Sequence, residues 1–370
     1  HRGAGLAVRL LRGERQWLAA EDELSRASFS RALRQVARVM PATPLAEPEL
    51  AAPARPSVEI EALRAFPSAV QSELQTRHVA FPWRITLRRH VRHIQLVGPR
   101  LVPDPQTERF DSVVAECAGG RYGALFPSLD AAAARQVAGA LAARFRVRES
   151  RPPEAGAQPI LLAPPAAAVL LHEAVAHALE ADVLGTTGAP DRAIGVRLGP
   201  AGLSVLDDPG SAPGENGRSV DDEGMACSRR WLLRDGVVEQ PLADLAWSLR
   251  ATKLHPGAGR RGRRGLPPSP RSTHLEVLPG SESEEQLANQ ADRGLWVPEL
   301  ERGHLDPLTG HFVVVAAYGR LIRGGRLADP VGPFALRGSV AGLLGAVVAL
   351  GARTEPGGAG WCAKGGSKLA

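Results

Sequence analysis

Cysteine, lysine, methionine and aromatic side chains are all scarce in this chain of 370 residues. Only three cysteines occur, Cys117, Cys227 and Cys362. They are odd in number and widely spaced, which excludes a disulfide framework and fits a reducing, cytoplasmic compartment. Lysine is confined to Lys253, Lys364 and Lys368, so nearly all positive charge is arginine. Aromatic residues make up 4%. The interleaving of bases and aromatics that marks a single-strand nucleic-acid binder is therefore absent. Long apolar runs are missing too. Those around residues 160–171 and 340–351 are too short to span a bilayer and carry Pro or Gly. No charged segment followed by an apolar one opens the chain, so no signal peptide is visible. The chain begins at His1 without a methionine, as a processed or incomplete chain would.

Hydrophobic residues reach 44%, enough for a globular chain of two or three domains. The net charge is +6. A basic balance raises nucleic acid or a membrane surface as partners, but most arginines alternate with acids. The one dense group, Arg260-Arg261-Gly262-Arg263-Arg264, lies in a Gly/Pro-rich stretch and reads as a solvated loop. Nucleic acid is thus the weakest of the partner readings, and no membrane is implied.

Hydrophobic periodicity gives an α+β chain: a mixed α/β N-terminal region followed by a β-rich C-terminal domain. Residues 5–18 read as two strands around a Gly turn. Ser25 to Val39 reads as an amphipathic helix, and Glu59 to Arg77 as a helix interrupted by Pro67. From Trp83 the period becomes two, with strands expected around residues 83–96, 111–117 and 121–126. Asp130 to Phe145 follows as a helix, capped by Ser128 or Asp130. Pro-rich stretches at 41–57 and 150–158 divide the chain into residues 1–57, 58–158 and 159–370. In the last part, Asp235-Gly236 and Gly324-Gly325 mark hairpin turns. Ser283 opens a helix with capping-box spacing, and Val340 to Leu350 reads as an apolar helix.

The chemistry sits in Leu170-Leu171-His172-Glu173-Ala174-Val175-Ala176-His177-Ala178-Leu179-Glu180. Two histidines and a glutamate interrupt an alanine- and leucine-rich helical run. Burying polar groups there is costly unless they are paired, and a metal ion would pair them. The spacing His-Glu-x-x-x-His is one residue longer than the His-Glu-x-x-His of zinc metalloproteases. On an ideal helix an i,i+5 pair diverges by about 140°, against about 40° for i,i+4. A shared metal therefore requires local widening of the helix, for example a π-bulge. The alternative is two core histidines bonded to backbone carbonyls. Glu173 lies where a general base beside zinc-bound water must lie. Glu180 and Asp182 could orient the histidines from behind, but read more simply as solvated acids. A catalytic zinc needs a third protein ligand. Cys362, in the flexible Gly360-Trp361-Cys362-Ala363-Lys364-Gly365, is a candidate, and equally a surface thiol. Asp221-Asp222-Glu223-Gly224 reads as an acidic turn without EF-hand spacing.

Together these segments resemble the TldD/PmbA family of metallopeptidases, historically called modulators of DNA gyrase. The resemblance runs collinearly through His172–Asp182, Asp221-Asp222-Glu223-Gly224, Arg271-Ser272-Thr273 with Leu278-Pro279-Gly280, Gly294–Val297, Gly303–Asp306, Thr309–Phe312 and Gly360–Gly365. It implies Zn2+ held by His172, His177 and Cys362, with Glu173 as catalytic base. It also implies a homodimer, or a heterodimer with a TldD/PmbA-family subunit, enclosing a cleft. An unfolded or small peptide would bind there as an added strand. The chain departs from the family at Ala176, where glycine is usual, and near Ala363 and Ser367, where glycine and glutamine are usual. The family's chains also run further at both ends. These departures keep one alternative in view: a non-catalytic peptide-binding subunit of a heteromeric TldD/PmbA-type protease.

Overall fold

The structure, a computed structural model, describes residues 3–12, 15–38, 60–97, 106–212, 214–262, 265–306 and 309–355. Strands Leu6–Arg12 and Arg15–Glu21 pair antiparallel. Helix Arg26–Ala37 packs on this hairpin through Ala32 and Val36 against Val8 and Ala19. Its N-cap is Ser25, whose hydroxyl accepts from the Ser28 amide.

A second apolar cluster lies between helices Ile60–Thr76 and Ala131–Val147 and a three-stranded antiparallel sheet. The sheet holds Trp83–Ile94, Gln106–Cys117 and Gly120–Phe126 in that order. The first of these is one long strand. Pro67 does not interrupt its helix, which is continuous from Ile60 to Thr76. Phe66, Val70 and Leu74 all bury on one face, and this packing outweighs the hydrogen bond that proline removes. Asp130, not Ser128, caps Ala131–Val147, accepting from the Ala133 amide.

The C-terminal region is β-rich. One four-stranded sheet orders Leu275–Val277, Val205–Asp207, Arg230–Arg234 and Val237–Val238. A second orders Arg326–Val331, Gly319–Arg323, Arg293–Val297 and Ile160–Leu162. A three-stranded sheet orders Arg302–Leu305, His311–Ala316 and Phe334–Ser339. Both glycine-bearing hairpins form: Asp235 and Gly236 have φ of 50° and 76°, and Gly324 and Gly325 of 56° and 72°. Ser283 and Gln286 make the capping box of helix Glu284–Ala291. The last apolar helix is shorter than its composition suggests, ending at Gly345.

Charged side chains join segments distant in sequence. Glu108 and Asp222 are buried among Arg92, Arg218 and Arg260. The closest contacts are Arg260 to Glu108 at 2.6 Å and Arg218 to Asp222 at 2.8 Å. Arg9 of the first hairpin pairs with Glu223. The Arg261 amide donates to Asp222 at 2.7 Å. Arg260 and Arg261 are therefore part of a buried junction rather than a solvated loop; Arg263 and Arg264 lie outside the described residues. The acidic turn is the C-terminal half of that junction.

Candidate metal centre

The histidine-bearing helix is held between two apolar clusters. It starts at Pro164, directly after strand Ile160–Leu162, with two prolines in its first turn. Ala166 and Leu170 pack with Leu295, Val297, Phe312 and Val314. One turn on, Val175 and Leu179 pack with Leu203, Val205, Leu232 and Leu242. The helix is α-helical through Leu171, π-helical over His172–Ala176 and 3₁₀ over His177–Leu179. The His177 amide donates to the His172 carbonyl, five residues back. The helix thus widens where the i,i+5 spacing requires it. Ala176 occupies this turn at φ −61° and ψ −54°, ordinary right-handed values, so no glycine is needed there.

The widening brings the imidazoles together. His172 Nε2 and His177 Nε2 are 3.0 Å apart. The donor atoms of His172, Glu173 and His177 all lie within 4.8 Å of one another. His177 Nδ1 is 3.1 Å from Glu180 Oε1, which places the His177 ring proton on Nδ1 and leaves Nε2 as a lone pair aimed at His172. Two nitrogens on a tetrahedral zinc are about 3.3 Å apart, given bonds of about 2.0–2.1 Å. The donor set present therefore fits a divalent metal. Burial, then His177 and Arg271, hold the His172 pKa well below its usual value, so the ring is neutral and free to donate its lone pair.

Glu173 lies against strand Arg302–Leu305. A β-carbon on Gly303 would come within 3.0 Å of Glu173 Cγ and 2.9 Å of Val314 Cγ1, so only glycine permits this approach. Burial raises the Glu173 pKa, and the opposing pull of His177, His304 and the Leu305 amide does not cancel it.

Behind the histidines lies the carboxylate of Glu180, the orienting partner rather than the solvated acid. Glu180 is fully buried, not solvated. The helix breaks there into extended backbone, pinned by the Ala181 amide on the Leu242 carbonyl at 2.8 Å. Glu180 Oε2 meets Arg271 Nη1 at 3.3 Å, and Asp182 meets the same nitrogen at 3.8 Å. Asp207 anchors the Arg271 segment by accepting from the Thr273 and His274 amides, each at 2.8 Å. The signal available was the three-residue step from His177 to Glu180, which puts both on one helix face. Cys362, Ala363 and Ser367 lie outside the described residues.

The centre opens onto a cleft of about 2130 Å3. Strands Ile160–Leu162 and Leu275–Val277, each at the edge of its sheet among the described residues, line it. Among the described residues no helix is long and apolar enough to cross a membrane.

An α+β fold with two imidazoles and a carboxylate gathered on a widened helix at a cleft is the arrangement that a metal-binding protein presents. Over residues 155–365 the chain matches the model of the PmbA/TldA metallopeptidase C-terminal domain, more than half of its length, and it belongs to that family. It is 28% identical over 225 residues to a metalloprotease of Methanothermobacter thermautotrophicus, covering 60% of this chain and 49% of that protein. It is 28% identical over 190 residues to a TldD metalloprotease homologue of Buchnera aphidicola, covering 50% and 38%. The matched stretch is thus half or less of these relatives' own length. In fold it is similar to TldE from Thermococcus kodakarensis, with a TM-score of 0.68 at 17% identity over 98% of this chain and 86% of that one.

Proposed function

We propose that this chain is a zinc-dependent peptidase that hydrolyses unfolded or small peptides, held as an extended strand in a cleft formed with a second subunit. The observation that carries the reading is the π-turn that brings His172 Nε2 and His177 Nε2 to 3.0 Å with Glu173 beside them. A helix built only to bury two histidines has no reason to widen there.

In this reading His172, His177 and Cys362 hold the metal. When bound, zinc supplies Lewis acidity, activating water and polarising the scissile carbonyl. Glu173 accepts the proton of the attacking water at its carboxylate and returns it to the leaving amine. Glu180 holds His177 in the tautomer that presents Nε2, and Arg271 in turn holds Glu180. The edge strands Ile160–Leu162 and Leu275–Val277 offer unpaired backbone groups to an extended peptide, so recognition runs through the main chain. The resemblance to TldD/PmbA proteins supports a homodimer or a heterodimer with a member of that family. Free thiols at Cys117 and Cys227 suit a cytoplasmic setting. The separate apolar clusters accord with the division into residues 1–57, 58–158 and 159–370.

The test combines metal analysis, mass in solution and turnover of a disordered peptide, with Glu173→Gln as control. Near-stoichiometric zinc, a dimeric mass and turnover lost in the variant are expected. Wild-type protein without bound zinc, or a variant as active as wild type, would sink the proposal.

A further inference from the structure

Among the described residues, the cleft carries the charge opposite to that of the whole chain. The chain carries +6, yet the described residues lining the cleft include eight carboxylates and only four arginines. Two of those arginines are each shared between two acids. Arg144 faces Glu299 and, at 3.5 Å, Glu301. Arg353 faces Glu355 and, at 4.0 Å, Glu284. One guanidinium between two carboxylates leaves one negative charge at each place. Glu276 and Glu282 have no arginine or lysine within ion-pair distance among the described residues. Glu276 meets His274 Nε2 at 3.5 Å, and Glu282 accepts from the Gln290 amide. Arg302 and Arg337, the other two arginines, stand opposite Val315 and Val313 on the exposed face of the three-stranded sheet. They reduce the imbalance without removing it.

Resting on the peptidase reading, we propose that this cleft selects cationic peptides, unfolded segments rich in lysine or arginine, over acidic ones. Two observations point the same way. The walls between the charges are largely aliphatic, and low-dielectric walls concentrate the field of the charges they carry. Glu276 is also the central residue of edge strand Leu275–Val277. A peptide added to that edge places its own side chains about 4.5–5.5 Å from Glu276, the distance at which opposite charges on paired strands attract. Main-chain pairing fixes the peptide without reading its sequence, and the carboxylates add a preference for charge. The same field disfavours nucleic acid in the cleft.

The experiment uses the zinc-loaded full chain and two labelled disordered peptides, identical except that lysines in one are glutamates in the other. Binding is read by fluorescence anisotropy and cleavage by kcat/KM. The lysine peptide should bind about tenfold tighter at low salt, the ratio shrinking as salt shortens the Debye length to about 8 Å. Glu276→Gln with Glu282→Gln should cut the ratio by about two- to fivefold per position. Glu116→Gln, an exposed site on the central sheet away from the cleft, serves as the charge-matched control and should leave the ratio unchanged. Equal binding of the two peptides, or a ratio as large in the double variant as in wild type, overturns the proposal. If neither peptide is cut while the lysine peptide still binds preferentially, charge selection stands and the peptidase reading falls. If both peptides are cut and bound equally, the peptidase reading stands and charge selection falls.

Discussion

Two of the buried places that hold carboxylates treat them in opposite ways. At the charged junction, burial pushes Asp222 up, but the guanidiniums of Arg218, Arg260 and Arg92 outweigh it and hold its pKa well below the usual range. Glu108 is held down in the same way. At the candidate metal centre no guanidinium among the described residues pairs with Glu173, and burial holds its pKa up. Burial alone therefore does not set the direction in which an acid shifts. At these two places contact with fixed cations does. The junction uses its arginines to keep charges locked, whereas the candidate metal centre keeps its arginine one step back, on Glu180; in the proposed reading this leaves Glu173 free to exchange a proton.

That contrast is broken most directly by removing one carboxylate from each place. Glu173→Gln should lower kcat on a disordered peptide by about 10²–10⁴-fold, the typical worth of a general base. Its urea midpoint should stay equal or rise, since an amide is cheaper to bury than an uncompensated carboxylate. Asp222→Ala should do the reverse. It leaves Glu108 alone against Arg218, Arg92 and Arg260, and removing one member of such a buried set costs up to about 3–5 kcal/mol. The folded fraction should retain its turnover. A Glu173→Gln protein that unfolds early, or an Asp222→Ala protein as stable as wild type, would erase the distinction.

Glu180→Ala tests the arginine held one step back. His177 loses the acceptor for its Nδ1 proton, and loss of such an orienting partner typically weakens metal affinity by about 10–100-fold. Competition against a zinc chelator measures it. Unchanged affinity would mean that packing alone holds the ring.

Much of this was legible in the sequence, and the reasons for the rest are physical. The one-residue excess between His172 and His177 was enough to require a widened helix, because helical geometry leaves no other way to bring i and i+5 together. The hairpins at Asp235-Gly236 and Gly324-Gly325 were equally plain, since those dipeptides tolerate positive φ. Burial of charge was not legible. Arg260, Arg261, Glu180 and Asp222 look like surface residues until partners distant in sequence arrive: Glu108 is more than a hundred residues from Arg260, and Arg271 is about ninety from Glu180. Local composition carries no record of such pairings. Continuous packing of Phe66, Val70 and Leu74 likewise overrode Pro67, which a local rule could not anticipate.

The smallest effect tests whether cation contact, rather than location, is the deciding variable. Asp244 lies at the junction, beside Glu223, yet makes no ion pair among the described residues. It caps helix Leu245–Arg250, accepting from the Trp247 amide at 2.8 Å. Burial, then the Glu223 charge, push its pKa up to about 7, so it resembles Glu173 more than its neighbour Asp222. The unfolded value is near 3.9. Between those two values the native state holds a proton that the unfolded chain has released, so stability falls as pH rises through that window. Asn caps helices about as well as Asp and does not titrate. Asp244→Asn should therefore match wild type near pH 4.5 and exceed it by on the order of 1–2 kcal/mol at pH 8. Urea unfolding at both pH values decides it. A variant less stable than wild type at pH 8 would mean that the Asp244 charge is compensated after all, and that the junction treats its acids alike.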